Sequence, residues 1–357
     1  MWRYYLYRKD SLFLSLRQLL LQLSQFGLMI GLLFQAYVVG LVAALFLALG
    51  RLVASDNPST QVNVAIMLLL AQSLLFLQLR HGILDSAHRR YHITILANSW
   101  HQKVADVAAL LATHVLLHMS LVLGVAIGYE HFIQAWPLWV FAASQLIVAL
   151  ACVYRPLATF IALFASLLLS IVVHDLGYFL LLVNILVLLA NRFLPPEITL
   201  SVSVSGLCSF WLSYAANHYF VMLWRAVLSL LVIWFGVIIN AERADLIAHY
   251  IPGLMSLNLL CWASLGLDLR PQVTQRSAFW QSINRLKQAR LSLWLILLTT
   301  AVLFTTPVYL LTPPSLSHLL PFLFLPVMIL AALKSPRQLA VAWLSTLVVC
   351  YTVLLNL

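Results

Sequence analysis

The sequence predicts an all-α polytopic membrane protein with about 11 transmembrane helices in two similar halves, each preceded by an interfacial helix. Of its 357 residues, 63% are hydrophobic and only 8% are charged, an apolar excess that lies outside the range of soluble domains. Apolar runs of about 17–25 residues, the length that crosses a bilayer, recur along nearly the whole chain. The polar segments between them are too short to bury a hydrophobic core of their own.

Short polar connections separate the expected spans. The predicted spans are residues 25–50, 63–79, 104–128, 136–154, 156–173, 177–193, 226–241, 247–267, 291–311, 317–333 and 338–356. We place the first half at residues 1–193, with an interfacial helix and six spans. The second half, residues 194–357, then holds an interfacial or re-entrant segment and five spans.

The distribution of basic residues predicts the orientation in the membrane. They cluster near the N-terminus and in two polar segments, residues 79–103 and 269–290. If residues 194–224 do not cross the membrane, all of the 20 Lys and Arg except Arg51 and Arg243 lie on one side. Because basic loops stay in the cytoplasm, we expect a multi-pass protein of the bacterial inner (plasma) membrane with a cytoplasmic N-terminus.

The first residues alternate aromatic and basic side chains, a pattern that is typical of a helix lying in the membrane interface. Its rings would lie at headgroup depth and its cationic ends would face anionic lipid. Membrane lipids are therefore expected partners. The predicted membrane-interface residues are Trp2, Arg3, Tyr4, Tyr5, Tyr7, Arg8 and Lys9.

The order of these segments resembles the permease half of ATP-binding-cassette (ABC) type 2 exporters. In that family an elbow helix precedes the first span, and a coupling helix between the second and third spans fits a cleft on a separate ATPase. The matching positions are residues 1–20 and 83–100 in the first half, and 208–224 and 276–290 in the second. The second half departs from the pattern in having five spans and a less basic elbow. The resemblance implies an exporter of an amphipathic or lipid-like substrate, or of a peptide.

The same resemblance implies that the two cytoplasmic loops contact the ATPase, through aromatic and basic anchors of the kind that dominate protein interfaces. The expected partner-coupling residues are Arg89, Arg90, Tyr91, Trp100, Phe279, Trp280, Arg285 and Lys287. The sequence contains no GxxxxGK[ST] phosphate-binding loop. ATP and Mg²⁺ are therefore expected on the partner, with no cofactor or catalytic residue on this chain. A homodimer or a second membrane subunit is a possible further partner, and nucleic acid is not expected.

The histidines leave an alternative open. His88 and His92, and likewise His114 and His118, have i,i+4 spacing, which places each pair on one helix face and can hold zinc or iron. A His-liganded, metal-dependent membrane enzyme is therefore one alternative, and a lipid-handling protein that is not driven by ATP is another. An ion-coupled carrier is disfavoured, because such carriers need ionisable groups deep inside their spans.

Overall fold

The computed structural model describes residues 2–17, 49–50, 52, 57–86, 88–95, 100–126, 136–195, 207–242, 244–311 and 316–356. Within these ranges every regular element is a helix, in agreement with the predicted all-α class. The predicted span at residues 25–50 lies outside the described residues except for its last two positions. Residues 196–206, inside the ambiguous segment 194–224, also lie outside them.

The chain divides into two compact units, Met1–Glu197 and Ile198–Leu357, where the sequence predicts a boundary at residue 193. The helices of the first unit are α1 (2–17), α2 (Pro58–Leu84), α3 (Arg89–Ile95), α4 (Trp100–Thr113), α5 (Val115–Ala126), α6 (Trp136–Tyr154), α7 (Pro156–Leu169) and α8 (Leu176–Phe193). Those of the second unit are α9 (Leu207–Asn217), α10 (Tyr219–Glu242), α11 (Ala244–Ala263), α12 (Leu265–Gln275), α13 (Ser277–Ser282), α14 (Leu286–Tyr309), α15 (Leu316–Ala332) and α16 (Pro336–Asn356).

In the first unit, α2, α6, α7 and α8 pack together around apolar side chains. Each of these helices contributes one almost fully buried phenylalanine, namely Phe76, Phe141, Phe160 and Phe179. Helix α1 packs on the C-terminal end of α2 at Gly82, where an added Cβ would come within 2.7 Å of the Ser15 side chain. A glycine at this position lets the two helices approach closely.

Polar residues set the ends of the helices in the first unit. The Asn57 side chain accepts a hydrogen bond from the Ser59 amide at 3.1 Å, and Pro58 occupies the first turn of α2. Both features favour a helix start. The same helix ends at Asp85, which takes a left-handed conformation with φ 46°. Asp175 caps α8 by accepting a hydrogen bond from the Tyr178 amide.

In the second unit, α11 packs against α10, α14, α15 and α16. Its buried residues Ile251, Leu254 and Met255 form a cluster with Val232 of α10 and Val308 of α14. These aliphatic side chains make the core of the unit, as expected for helices that bury an apolar stripe.

The described residues contain six helices that are long and apolar enough to cross a membrane. Helices α4 and α5 form a seventh if they are one span, since they are bent by 62° at a break beside His114. Pro156–Leu169 and His318–Ala332 are shorter apolar helices. These lengths fit an all-α membrane protein without confirming the predicted count of 11 spans.

The region after residue 206 differs in detail from its prediction. Helix α10 begins at Tyr219, seven residues before the predicted span at 226–241. Residues 219–224 therefore belong to this apolar helix and not to the interfacial segment. Helix α9 has 11 residues, a rise of only about 16 Å, which by itself is about half the thickness of a bilayer core.

Candidate functional site

The candidate site is the polar segment that follows the second span of each unit, together with the short helix that packs on it. In the first unit this segment includes α3 and the start of α4. Helix α1 covers it, with Tyr5 Oη 3.0 Å from His101 Nδ1 and Tyr7 Oη 2.8 Å from His88 Nδ1. The helix predicted to be interfacial and the loop predicted to couple to a partner therefore contact each other directly.

Asp106 is the centre of a buried polar network in the first unit. Its side chain is 1% exposed and accepts three hydrogen bonds, from Arg8 Nη2 at 2.9 Å, Arg89 Nη1 at 3.0 Å and Tyr154 Oη at 2.9 Å. These partners lie on α1, α3 and α6, whereas Asp106 itself lies on α4. One carboxylate thus connects four helices.

Arg8 differs from its predicted role at the lipid surface. It is 5% exposed and also donates to the Ile83 carbonyl at the end of α2. Burial opposes its charge, but the hydrogen bond to Asp106 and the neighbouring Tyr4 outweigh that effect, so the pKa of Arg8 is raised. Buried cations persist where a carboxylate compensates them in this way. The exposed face of α1 retains Trp2, Arg3, Tyr7 and Lys9 from the predicted interface set.

A second group of polar side chains surrounds the buried Asp85 at the end of α2. His88 Nδ1 lies 3.1 Å from one of its carboxylate oxygens, and His92 Nδ1 lies 3.4 Å from the other. The rings of Tyr4 and Tyr7 pack edge-on against His92. Burial of His92 lowers the pKa of its imidazole, with the charges of Arg8 and His88 acting in the same sense and Asp85 opposing them.

The four histidines proposed for a metal site occupy different surroundings. His114 lies buried at the break between α4 and α5, with its Nε2 3.3 Å from the Gln145 carbonyl oxygen. His118 Nε2 lies 2.9 Å from the Leu111 carbonyl oxygen, whereas His88 and His92 lie beside Asp85. Among the residues that the structure describes, no group of three or more His, Cys, Asp or Glu side chains is arranged to hold a metal ion.

The second unit carries a different ion pair. Arg225 on α10 is 2% exposed, and its Nη2 donates to Asp268 Oδ2 at 2.7 Å. Its Nη1 donates to the Val221 carbonyl, and its Nε donates to the Cys261 carbonyl and to Ser264 Oγ. The Asp268 side chain is 45% exposed, so this pair connects α10 to α12 at the edge of the unit.

The segment around α13 is held mainly by aromatic side chains from α9. Phe210 packs edge-on against Trp280, with ring centroids 5.3 Å apart. Trp211 Nε1 donates to Ser292 Oγ at the start of α14 at 2.9 Å. Helix α9 therefore contacts α13 and α14 as α1 contacts α3 and α4 in the first unit.

A further pair of contacts recurs in both units. Near the end of α2, Arg80 Nε donates to the Val153 carbonyl at the end of α6, at 2.8 Å. In α12, Arg270 Nη1 donates to the Lys334 carbonyl just after α15, at 2.6 Å. Arginine at the C-terminal end of a helix satisfies carbonyls that lack an intrahelical partner. Each arginine thus joins a helix to the C-terminal end of another helix in its own unit.

The predicted coupling residues are presented unequally. Tyr91, Trp100 and Phe279 have exposed fractions of 64%, 62% and 58%. Trp280 is only 6% exposed because it packs under Phe210, so it supports α13 and is not presented at the surface. Of the basic members, Arg90, Arg285 and Lys287 are exposed, whereas Arg89 is partly withdrawn onto Asp106.

Sequence reasoning missed the network around Asp106 and the pair formed by Arg225 and Asp268. The sequence places both aspartates at the ends of predicted spans and indicates no partner for either. One signal was available in the sequence. Arg225 is a single arginine within an apolar helix, and a buried charge of this kind needs a partner. The identity of that partner depends on packing between helices far apart in sequence.

Uncharged polar side chains inside the spans make contacts between helices. Gln72 Nε2 donates to the Gln145 carbonyl at 2.8 Å, and Asn184 Nδ2 donates to Ser144 Oγ at 2.9 Å. In the second unit Asn258 Nδ2 donates to the Phe304 carbonyl at 3.0 Å. Such bonds hold helices together in a membrane.

Comparison with known proteins places the chain in one family. No curated protein and no solved structure shows significant similarity to it. One family model, described as a family of unknown function (DUF6136), matches residues 2–353. The match spans nearly the whole sequence, and the chain therefore belongs to DUF6136, a family of unknown function.

Proposed function

We propose that the chain is the permease component of an ABC-type exporter and consists of two permease halves fused in one polypeptide, driven by a separate ATPase subunit. The observation that carries the proposal is the repeated contact between a short helix and the polar segment after the second span. It occurs as α1 on α3 and α4 in the first unit, and as α9 on α13 and α14 in the second.

This arrangement suits the transmission of motion. The first polar segment is tied by Asp106 to α1, α4 and α6 at once. A partner that displaces α3 would therefore move several helices together, because packed elements shift as units between discrete arrangements. ATP binding and hydrolysis on the partner would supply the energy, with ATP and Mg²⁺ held there.

Three exposed aromatic side chains favour docking of a partner at these segments. Tyr91 and Trp100 flank the first segment and Phe279 lies in the second. Large exposed aromatic side chains beside arginine and lysine match the composition of interface anchors.

The proposed substrate is amphipathic or lipid-like, since the described spans use their neutral polar groups for contacts with one another.

The test uses the full chain expressed together with a candidate stand-alone ABC ATPase subunit. We expect the double variant Tyr91→Ala, Trp100→Ala to reduce co-purification of the ATPase about tenfold or more, because anchor residues each contribute about 2 kcal/mol or more. Phe279→Ala should weaken the complex in the same way. The measurements are subunit ratio after purification and ATP hydrolysis by the complex in lipid nanodiscs.

Tyr178→Ala is the matched control. Tyr178 is 66% exposed but lies at the start of α8, on the proposed outer side, and its loss should leave the complex intact. The proposal is wrong if the aromatic variants retain a full complex with full hydrolysis. It is also wrong if a cysteine at position 285 reacts with an impermeant reagent only from outside the cell, since both segments must face a cytoplasmic ATPase.

A further inference from the structure

A cationic pocket lies where the ends of α2 and α6 meet α3. Its volume is about 370 Å³, within the range of about 300–1,000 Å³ that is typical of small-molecule sites. The residues that define this arginine pocket are Arg80, His81, Leu84, Arg89, Arg90 and Tyr154.

Two of the guanidinium groups are fixed by bonds to the surrounding helices. Arg80 Nε donates to the Val153 carbonyl. Arg89 Nη1 donates to both the Leu84 carbonyl and Asp106 Oδ2. These bonds fix the orientation of the Arg89 guanidinium at the wall of the pocket, beside the Tyr154 ring. The pocket is thus pre-organised before any ligand binds.

The pocket carries more positive charge than its surroundings neutralise. The nearest buried carboxylate, Asp106, already accepts bonds from Arg8, Arg89 and Tyr154. Arg90 makes no hydrogen bond or ion pair with any residue that the structure describes. Arg89 shares the one carboxylate of Asp106 with Arg8, so Arg89 and Arg90 leave positive charge at the opening that an anion would balance. Their planar forks match the oxygens of a phosphate in particular.

The position of the pocket indicates the source of the phosphate. Helices α2 and α6 are both long and apolar enough to cross a membrane, so their adjacent ends lie at the level of the lipid headgroups. Leu84 and the ring of Tyr154 add apolar wall beside the arginines. Basic pockets between spans on the cytoplasmic side are suited to anionic headgroups. We propose that the arginine pocket binds the phosphate of an anionic phospholipid headgroup.

This site does not depend on the proposed exporter function. A lipid bound there would bridge the end of α2, the end of α6 and α3 through one anion. It would therefore stabilise the first polar segment against the spans whether or not an ATPase docks on it.

The test measures lipid binding to the purified full-length protein by native mass spectrometry, with phosphatidylglycerol and phosphatidylcholine titrated separately. Both lipids carry the phosphate, but phosphatidylcholine also carries a quaternary ammonium, which the arginines of the pocket would repel. Phosphatidylglycerol should therefore bind at least about tenfold more tightly. Arg90→Gln should lower its affinity about tenfold. The exposed residue Arg337, in the first turn of α16 and outside the pocket, gives the control Arg337→Gln, which should change the affinity less than about twofold.

A second variant guards against an effect on folding. Arg89→Lys keeps the charge beside Asp106 but removes the fork, and it should weaken phosphatidylglycerol binding several-fold. Inorganic phosphate is the competing arm of the experiment. If it binds as tightly as phosphatidylglycerol and displaces it, the pocket takes free phosphate and the lipid source is wrong.

Two results overturn the inference altogether. Equal losses in Arg90→Gln and Arg337→Gln would mean that binding reflects total charge and not this pocket. If Arg90→Gln instead releases a bound ATPase while phosphatidylglycerol binding is unchanged, the arginine meets an acidic side chain of that partner.

Discussion

The two units hold the same kind of short helix against the same kind of polar segment, but with different chemistry. In the first unit a buried carboxylate, Asp106, ties α1 to α3 and to the spans. In the second, aromatic packing of Phe210 on Trp280 holds α9 to α13, and the ion pair of Arg225 lies elsewhere, between α10 and α12. Both units place a short helix on a polar segment, whereas the interactions that hold it there differ.

The stability of the two segments should therefore respond differently to substitution. Charge networks are directional, and a single removed partner leaves other charges buried and unpaired. Aromatic packing depends on volume and tolerates loss of charge. In the proposed exporter, the first segment would therefore be coupled rigidly to its spans, and the second would be coupled mainly to its covering helix.

The largest contrast is expected between the aspartates of the two ion networks. Asp106→Asn should lower the free energy of unfolding by about 3–5 kcal/mol, because Arg8 would remain buried without its compensating charge. Asp268→Asn should cost less, about 1–3 kcal/mol, because Arg225 would remain buried but keeps its bonds to two carbonyls, and water can reach the partner position, which is 45% exposed. Thermal unfolding of the purified variants in one detergent compares the two directly.

Equal destabilisation by the two substitutions would contradict the proposed difference between the units. Arg225→Met provides a further check in the second unit, because it removes the buried cation together with its need for a partner. We expect this variant to be no less stable than Asp268→Asn, since an isolated ion pair replaced by an apolar group is often neutral.

The next contrast is between the two tryptophans of the polar segments. Trp280→Ala should cost about 3 kcal/mol, because it removes a large buried side chain and leaves a cavity beneath Phe210. Trp100→Ala should cost about 0.5 kcal/mol or less, because its ring is 62% exposed. The same thermal measurement applies, and a larger loss for Trp100→Ala would reverse the assignment of structural and exposed roles.

Much of the fold could be predicted from composition and the length of apolar runs. The predicted spans at residues 63–79, 136–154 and 177–193 all fall within single helices of the first unit. Such runs are informative because a membrane helix satisfies its own backbone groups and needs no partner to be recognised. The bend at His114 could not be predicted in this way, because apolar residues continue on both sides of it.

The candidate site was harder to predict because it depends on contacts between distant segments. The alternation of aromatic and basic residues placed Arg8 at the lipid surface, yet packing of α1 on α2 at Gly82 turns it inward. Asp106 lies 98 residues away along the chain, and nothing in the local pattern joins the two. The exposure of adjacent side chains could not be predicted either. Phe279 and Trp280 are consecutive in the sequence, but only Phe279 is exposed.

The smallest expected effect is a dependence on pH that is confined to the first unit. Burial lowers the pKa of His92 from its ordinary value of 6.5, with Arg8 and His88 adding to the effect and Asp85 opposing it. The unfolded chain therefore binds a proton at His92 before the folded one does. Stability from the neutral ring is fully present above pH 6.5 and is lost as the pH falls through that value toward the lower folded pKa.

We expect α3 to loosen from α1 on acidification, because the protonated His92 would be buried among the Tyr4 and Tyr7 rings and near Arg8. Amide hydrogen exchange of residues 89–95, corrected for the intrinsic effect of pH, should show less protection at about pH 5 than at about pH 7.5. His92→Gln should abolish this difference, whereas His218→Gln in the second unit should leave it intact. A profile that is unchanged in His92→Gln would place the titrating group elsewhere, and protection that rises with acidification would show that the attraction of Asp85 exceeds the effect of burial.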